Sequence, residues 1–180
     1  VEDVLFFDHD PRTEKNPKYN EIKASIEDSG IQQAMYVTKR PGSNQWMMAK
    51  GGNTRLAILK DLAKNGKEPH KWVHHDFLIK PYIKESELLA AHLIENIQRS
   101  DMTFWDTAKG LMLMRSEIEK ELMCPLTAKE FGEKLKVSGL FFQDRVLSDY
   151  QFAVEYVSGL GELSQKLTLN DIRNQLRSQF

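Results

Sequence analysis

One cysteine, Cys124, among 180 residues excludes an internal disulfide framework and any cysteine-rich zinc site, and it fits a reducing compartment. Neither sign of charge dominates. The 25 Lys and Arg residues stand against 26 Asp and Glu, so no global basic field can hold nucleic acid, and any such contact has to come from a local patch. No apolar run approaches the length of a membrane span, which argues against a membrane partner. No period repeats as it would in a solenoid. At this length the chain can bury a core without a staple, as one compact domain or two small ones. It begins without Met and ends inside a helical pattern, which suggests a piece of something longer.

The patterning that is present changes near residue 100. Before it, Val4-Leu5-Phe6-Phe7 suits a buried strand, and the polar stretch to Pro17, which holds Arg12, suits a loop. Lys18 to Ser29 reads as a helix with Tyr19, Ile22 and Ile26 on one face, closed by Gly30. Met35 to Arg40 and Gln45 to Ala49 read as two strands joined at Pro41-Gly42-Ser43-Asn44. Asn53 to Asn65 reads as a helix ending at Gly66, Lys71 to Ile79 as a strand, and Ser86 to Asn96 as a third helix. Past residue 100 the pattern is helical throughout. Thr103 with Asp106, Thr127 with Glu130 and Thr168 with Asp171 are N-terminal cap pairs, and Leu126/Phe131 and Leu167/Ile172 are placed as staples. The expected fold is α+β: a small mixed sheet with flanking helices over residues 1–100, then an all-helical part over 101–180.

Two polar clusters carry ligand chemistry. Gly51-Gly52-Asn53-Thr54-Arg55 is a glycine turn opening a helix, where unpaired amides and the dipole favour phosphate. Glu95-Asn96-Ile97-Gln98-Arg99 gathers an acid, two amides and a cation. A carboxylate and an amide oxygen suit Mg²⁺, and a guanidinium suits phosphate. Taken alone, the second cluster is also what a solvated helix terminus looks like. His70, His74, His75 and Asp76 invite a metal, but His74 and His75 point to opposite faces of a strand. Further on, a helix to Leu135, a turn at Lys136-Val137-Ser138-Gly139 and a second short helix, Leu140 to Leu147, outline a helix-turn-helix. Ser138, Gln143 and Arg145 are its expected DNA contacts. The alternative is an ordinary helical hairpin.

This order of motifs resembles the ParB family of centromere-binding partition proteins, from about Phe7 to Val157. Gly30-Ile31-Gln32-Gln33 resembles the family's first box. Gly52-Asn53-Thr54-Arg55 sits where the family has Gly-Glu-Arg-Arg, and Glu95-Asn96-Ile97-Gln98-Arg99 matches its phosphate motif. The resemblance implies a ParB/sulfiredoxin-like domain followed by a helix-turn-helix domain, in a cytoplasmic, nucleoid-associated protein. It implies CTP and Mg²⁺ as cofactors, and double-stranded DNA at a centromere-like site, a second copy and a partition ATPase as partners. Gly51, Gly52, Asn53, Thr54, Arg55, Gln98 and Arg99 are then the nucleotide contacts. Asn96 and Glu95 hold the metal, and Glu95 with Gln33 acts in any slow CTP hydrolysis. Asn53, Thr54 and Ala34 depart from the family's Glu, Arg and Pro, and Phe141, Phe142 and Asp144 are unusual in a DNA-reading helix. The chain shows no C-terminal dimerisation segment. An adaptor that keeps the fold without nucleotide is the competing expectation. A sulfiredoxin-type redox enzyme is disfavoured, because Cys124 lies far from the phosphate turn.

Overall fold

A computed structural model describes residues 1–10, 16–98 and 102–179 and divides the chain into two compact units, Val1–Lys84 and Glu85–Phe180. The first unit is built on a four-stranded mixed sheet of order β1-β3-β2-β4. Its strands are β1 (Val4–Leu5), β2 (Met35–Thr38), β3 (Trp46–Lys50) and β4 (Phe77–Ile79). β2 and β3 form the expected antiparallel hairpin, turned at Gly42, whose φ of 78° a side chain would resist. β1 joins β3 in parallel, Val4 beside Trp46, and β4 joins β2 in parallel, Met35 beside Phe77. Because β3 is central, Met47, Met48 and Ala49 are buried in succession rather than alternately. α1 (Tyr19–Ser29) packs on α2 (Asn53–Asn65), which contributes Leu56, Ile58, Leu59 and Leu62 to the core.

The strand expected over Lys71 to Ile79 is shorter. Pro69 opens a 3₁₀ turn, Pro69–Lys71, and the amides of Lys71 and Trp72 bond back to Glu68 and Pro69, so they are withdrawn from any sheet. Only Phe77–Ile79 pairs. As an outer strand it leaves Leu78 and Ile79 exposed.

Among the described residues the second unit has no strand. It consists of α3 (Glu85–Gln98), α4 (Phe104–Leu122), α5 (Ala128–Val137), α6 (Asp144–Val157), a 3₁₀ segment Ser158–Lys166 and a terminal helical stretch begun by α7 (Leu169–Asp171). α3, which the pattern grouped with the sheet, packs on α4 in this unit. Glu121 accepts bonds from both the amide and the hydroxyl of Ser86, at 3.0 and 2.8 Å. The three threonine caps form as expected, at Thr103, Thr127 and Thr168. α4 ends in a left-handed residue, Met123, and Leu122 before it is half-exposed.

The expected second short helix, Leu140 to Leu147, is instead α6. It starts four residues later and runs on to Val157. The cause is local: α5 closes with Gly139 (φ 86°), Gly139 bonding to Lys136 and Leu140 to Leu135, and this Schellman arrangement carries the chain away from helical geometry through Gln143. Trp105, Phe152, Ala153, Val157 and Ile172 form a buried cluster under the terminal stretch.

Candidate nucleotide and nucleic-acid sites

In the first unit β3 runs directly into Gly51 and Gly52, both buried with φ of 47° and 84°, and Gly52 caps α2. A side chain at Gly52 would start 2.6 Å from the terminal methyl of Met48. The first helical bond runs from Leu56 to the Gly52 carbonyl at 2.8 Å, so the helix itself offers no acceptor to the amides of Asn53, Thr54 and Arg55. The Asn53 amide serves the fold: its oxygen accepts from the Phe7 amide at 3.0 Å, and its nitrogen donates to the Phe7 carbonyl at 3.1 Å and to Asp10 at 2.8 Å. Asn53 therefore pins the segment after β1 to the start of α2. Thr54 is half-buried beside it.

Arg55 and Gln33 come together. The guanidinium donates to the Gln33 carbonyl at 3.1 Å, on the wall of a cleft of about 370 Å³ whose other polar lining includes Lys18, Glu21, Ser25 and Gln32. Lys18, Glu21, Ile22, Ser25 and Ile26 share one face of α1 and its approach. That i, i+3, i+4, i+7, i+8 spacing was readable from sequence, although only its apolar members stood out. Asp10 was missed as well, and nothing in its local sequence marks it.

In the second unit α3 runs two residues past its expected end, so Gln98 joins Glu95 and Asn96 inside its last turn. Successive helical residues diverge by about 100°, so Glu95 and Asn96 do not face one point, whereas Glu95 and Gln98 share a face. Mg²⁺ commonly takes one carboxylate with phosphate and water oxygens, and Glu95 at the negative end of a helix suits that role. Arg99 lies outside the described residues, as does Arg12. His92, a residue of α3, is buried, consistent with packing. Cys124 is exposed just past α4. Among the described residues no ligand set gathers at His70, His74, His75 and Asp76. Burial pushes the His75 imidazole below its usual value, against the opposing pull of Asp76.

α5 and α6 meet at Gly132, where a Cβ would lie 3.5 Å from Leu147 and 3.6 Å from the Asp144 carboxylate. Asp144 thus leans back towards α5 at the positive end of α6, where an acid is favoured. Phe142 turns in edge-on to Tyr150, 5.8 Å between centroids, while Phe141 is 77% exposed. Ser138 caps α5 with its hydroxyl donating to the Lys134 carbonyl at 3.3 Å. Gln143 and Arg145 are exposed at the start of α6, and the Gln143 side chain makes no cap bond.

No protein-family model and no curated protein sequence matches the chain. The crystal structure of the C-terminally truncated chromosome-partitioning protein ParB from Caulobacter crescentus, complexed to the centromeric parS site, is similar over 96% of this chain and 80% of that one, at 14% identity and a TM-score of 0.47.

Proposed function

We propose that the chain is a ParB-like DNA-binding protein of chromosome, plasmid or mobile-element partition, switched by CTP with Mg²⁺. The observation that carries this is the buried glycine turn entering α2 with Arg55 bonded to Gln33 at a cleft. The amides of residues 53–55 and the Arg55 guanidinium supply the donors a triphosphate takes. Glu95 would hold Mg²⁺, whose chemistry would be to neutralise phosphate charge, and Gln98 on the same face of α3, with Arg99, would add phosphate contacts. A slow hydrolysis of CTP resets the switch. Ser138, Gln143 and Arg145 bind duplex DNA, with Arg145 as its strongest donor. A homodimer, a partition ATPase partner and a cytoplasmic, nucleoid-associated location go with this function.

A second function, an adaptor that keeps the fold without nucleotide, is favoured by one observation: the Asn53 amide is committed to Phe7 and Asp10. Calorimetry separates them. CTP with Mg²⁺ should bind the wild type, and Arg55→Ala should weaken it roughly tenfold to over a hundredfold, the loss expected for one charge-assisted contact of about 1.5–3 kcal/mol. No heat at millimolar CTP, with and without DNA, selects the adaptor.

A further inference from the structure

One stretch of the first unit is basic although the chain as a whole is not. Lys64 in the last turn of α2, Lys67 just beyond it, His70 and Lys71 in the 3₁₀ turn, and His74 are all exposed. The turn packs back against α2, which brings these side chains to one end of the helix. Between residues 64 and 75 the single acid is Glu68, 3.9 Å from Lys71. Lys64 and Lys67 have no ion-pair partner among the described residues. The two neighbouring charges of α2 are used elsewhere: Lys60 donates to the Glu2 carbonyl at 3.0 Å, and Asp61 pairs with Lys23 at 2.5 Å. Offsetting the α2 dipole takes one cation, and Lys64 supplies it; Lys67 and Lys71 are in excess of that need.

We propose that this end of α2 is a second, sequence-independent contact for the phosphates of duplex DNA. Flexible lysines act as point charges on phosphate without reading bases. Trp72, the aromatic of the patch, is half-buried with the Lys71 ammonium 5.3 Å from its ring centre, so no stacking platform for single strands is offered. This goes beyond the DNA contact assigned to α6, and the two are separable by experiment.

The test uses the full chain and a fluorescein-labelled duplex of mixed sequence, followed by anisotropy from about 50 to 200 mM salt. Lys64→Glu/Lys67→Glu/Lys71→Glu should lower affinity at the low-salt end at least about tenfold and flatten the slope of log K against log salt by about 2 to 3. Arg145→Ala should change that slope by about 1 at most. If Arg145→Ala has no effect on any duplex while the lysine variant weakens binding, the α6 contact falls and this patch stands. Absent wild-type affinity at low salt overturns the patch, as does a folded lysine variant with unchanged affinity and slope. So does a loss of binding confined to phosphatidylserine vesicles. Should the Glu variant lose its circular dichroism, the Lys→Gln triple is measured instead, against the same outcomes.

Discussion

The two units hold themselves together differently. In the first, part-exposed polar ties join loop to element, Asn53 to Phe7 and Asp10 and Arg40 to both oxygens of Asp8 at 2.9 and 2.7 Å, and helix to helix, Lys23 of α1 to Asp61 of α2. In the second, the ties with a buried member lie between helices. Asp149 of α6, 1% exposed, takes Arg173 and Arg177 at 2.6 Å each, and Arg115 of α4 reaches Glu119, Gln151 and the Leu126 carbonyl at once. The Leu126 amide bond and Arg115 hold the Glu119 carboxyl below its usual value. The difference places the candidate nucleotide turn among adjustable surface ties. It places the start of α6 on a scaffold fixed elsewhere.

The sharpest way to break this contrast is Asp149→Ala. It removes a buried carboxylate from two arginines that still reach solvent and should cost about 2–3 kcal/mol, read by urea denaturation through Trp105 in a Trp46→Phe/Trp72→Phe background. A loss below about 1 kcal/mol would make the second unit's ties no stronger than surface pairs. Asn53→Ala removes three part-buried bonds in the first unit and should cost about 1–3 kcal/mol, followed through Trp46 and Trp72 with Trp105→Phe. The smallest effect is a pH dependence. Burial depresses His75 in the folded state, so the neutral form is favoured by folding. That stability is present above the ordinary value of 6.5 and fades as pH falls towards the folded value. Between pH 7 and 5 the first unit should weaken, and His75→Gln should flatten the trend. An unchanged trend in that variant would take His75 out of the account.

Local chemistry was legible in the sequence and competition between local signals was not. Thr103, Thr127 and Thr168 announce helix starts because each hydroxyl needs only its own N3 amide, and all three form. α2 begins at Asn53 and ends at Asn65 because glycines bracket it. At residues 71–79 the alternation of Val73, His75, Phe77 and Ile79 read as a strand, yet Pro69 had already spent the amides of Lys71 and Trp72 in a turn. After Gly139 the apolar run Leu140-Phe141-Phe142 read as helix, but Leu140 and Phe142 are held by tertiary packing instead. The same holds for the candidate site. Gln33 and Arg55 were each marked by their own motif, whereas the bond between them and the demand that Phe7 and Asp10 make on Asn53 depend on the tertiary fold.

The placement of β1 beside β3 also sets an order of events. Val4 waits for Trp46, and Met35 for Phe77, so both parallel pairings of the sheet close only after most of the first unit has been synthesised. The second unit closes loops at least as long, from Trp105 to Ile172 and from Thr103 to Gln165, so on a ribosome neither unit completes its core until nearly all of its own residues have been made.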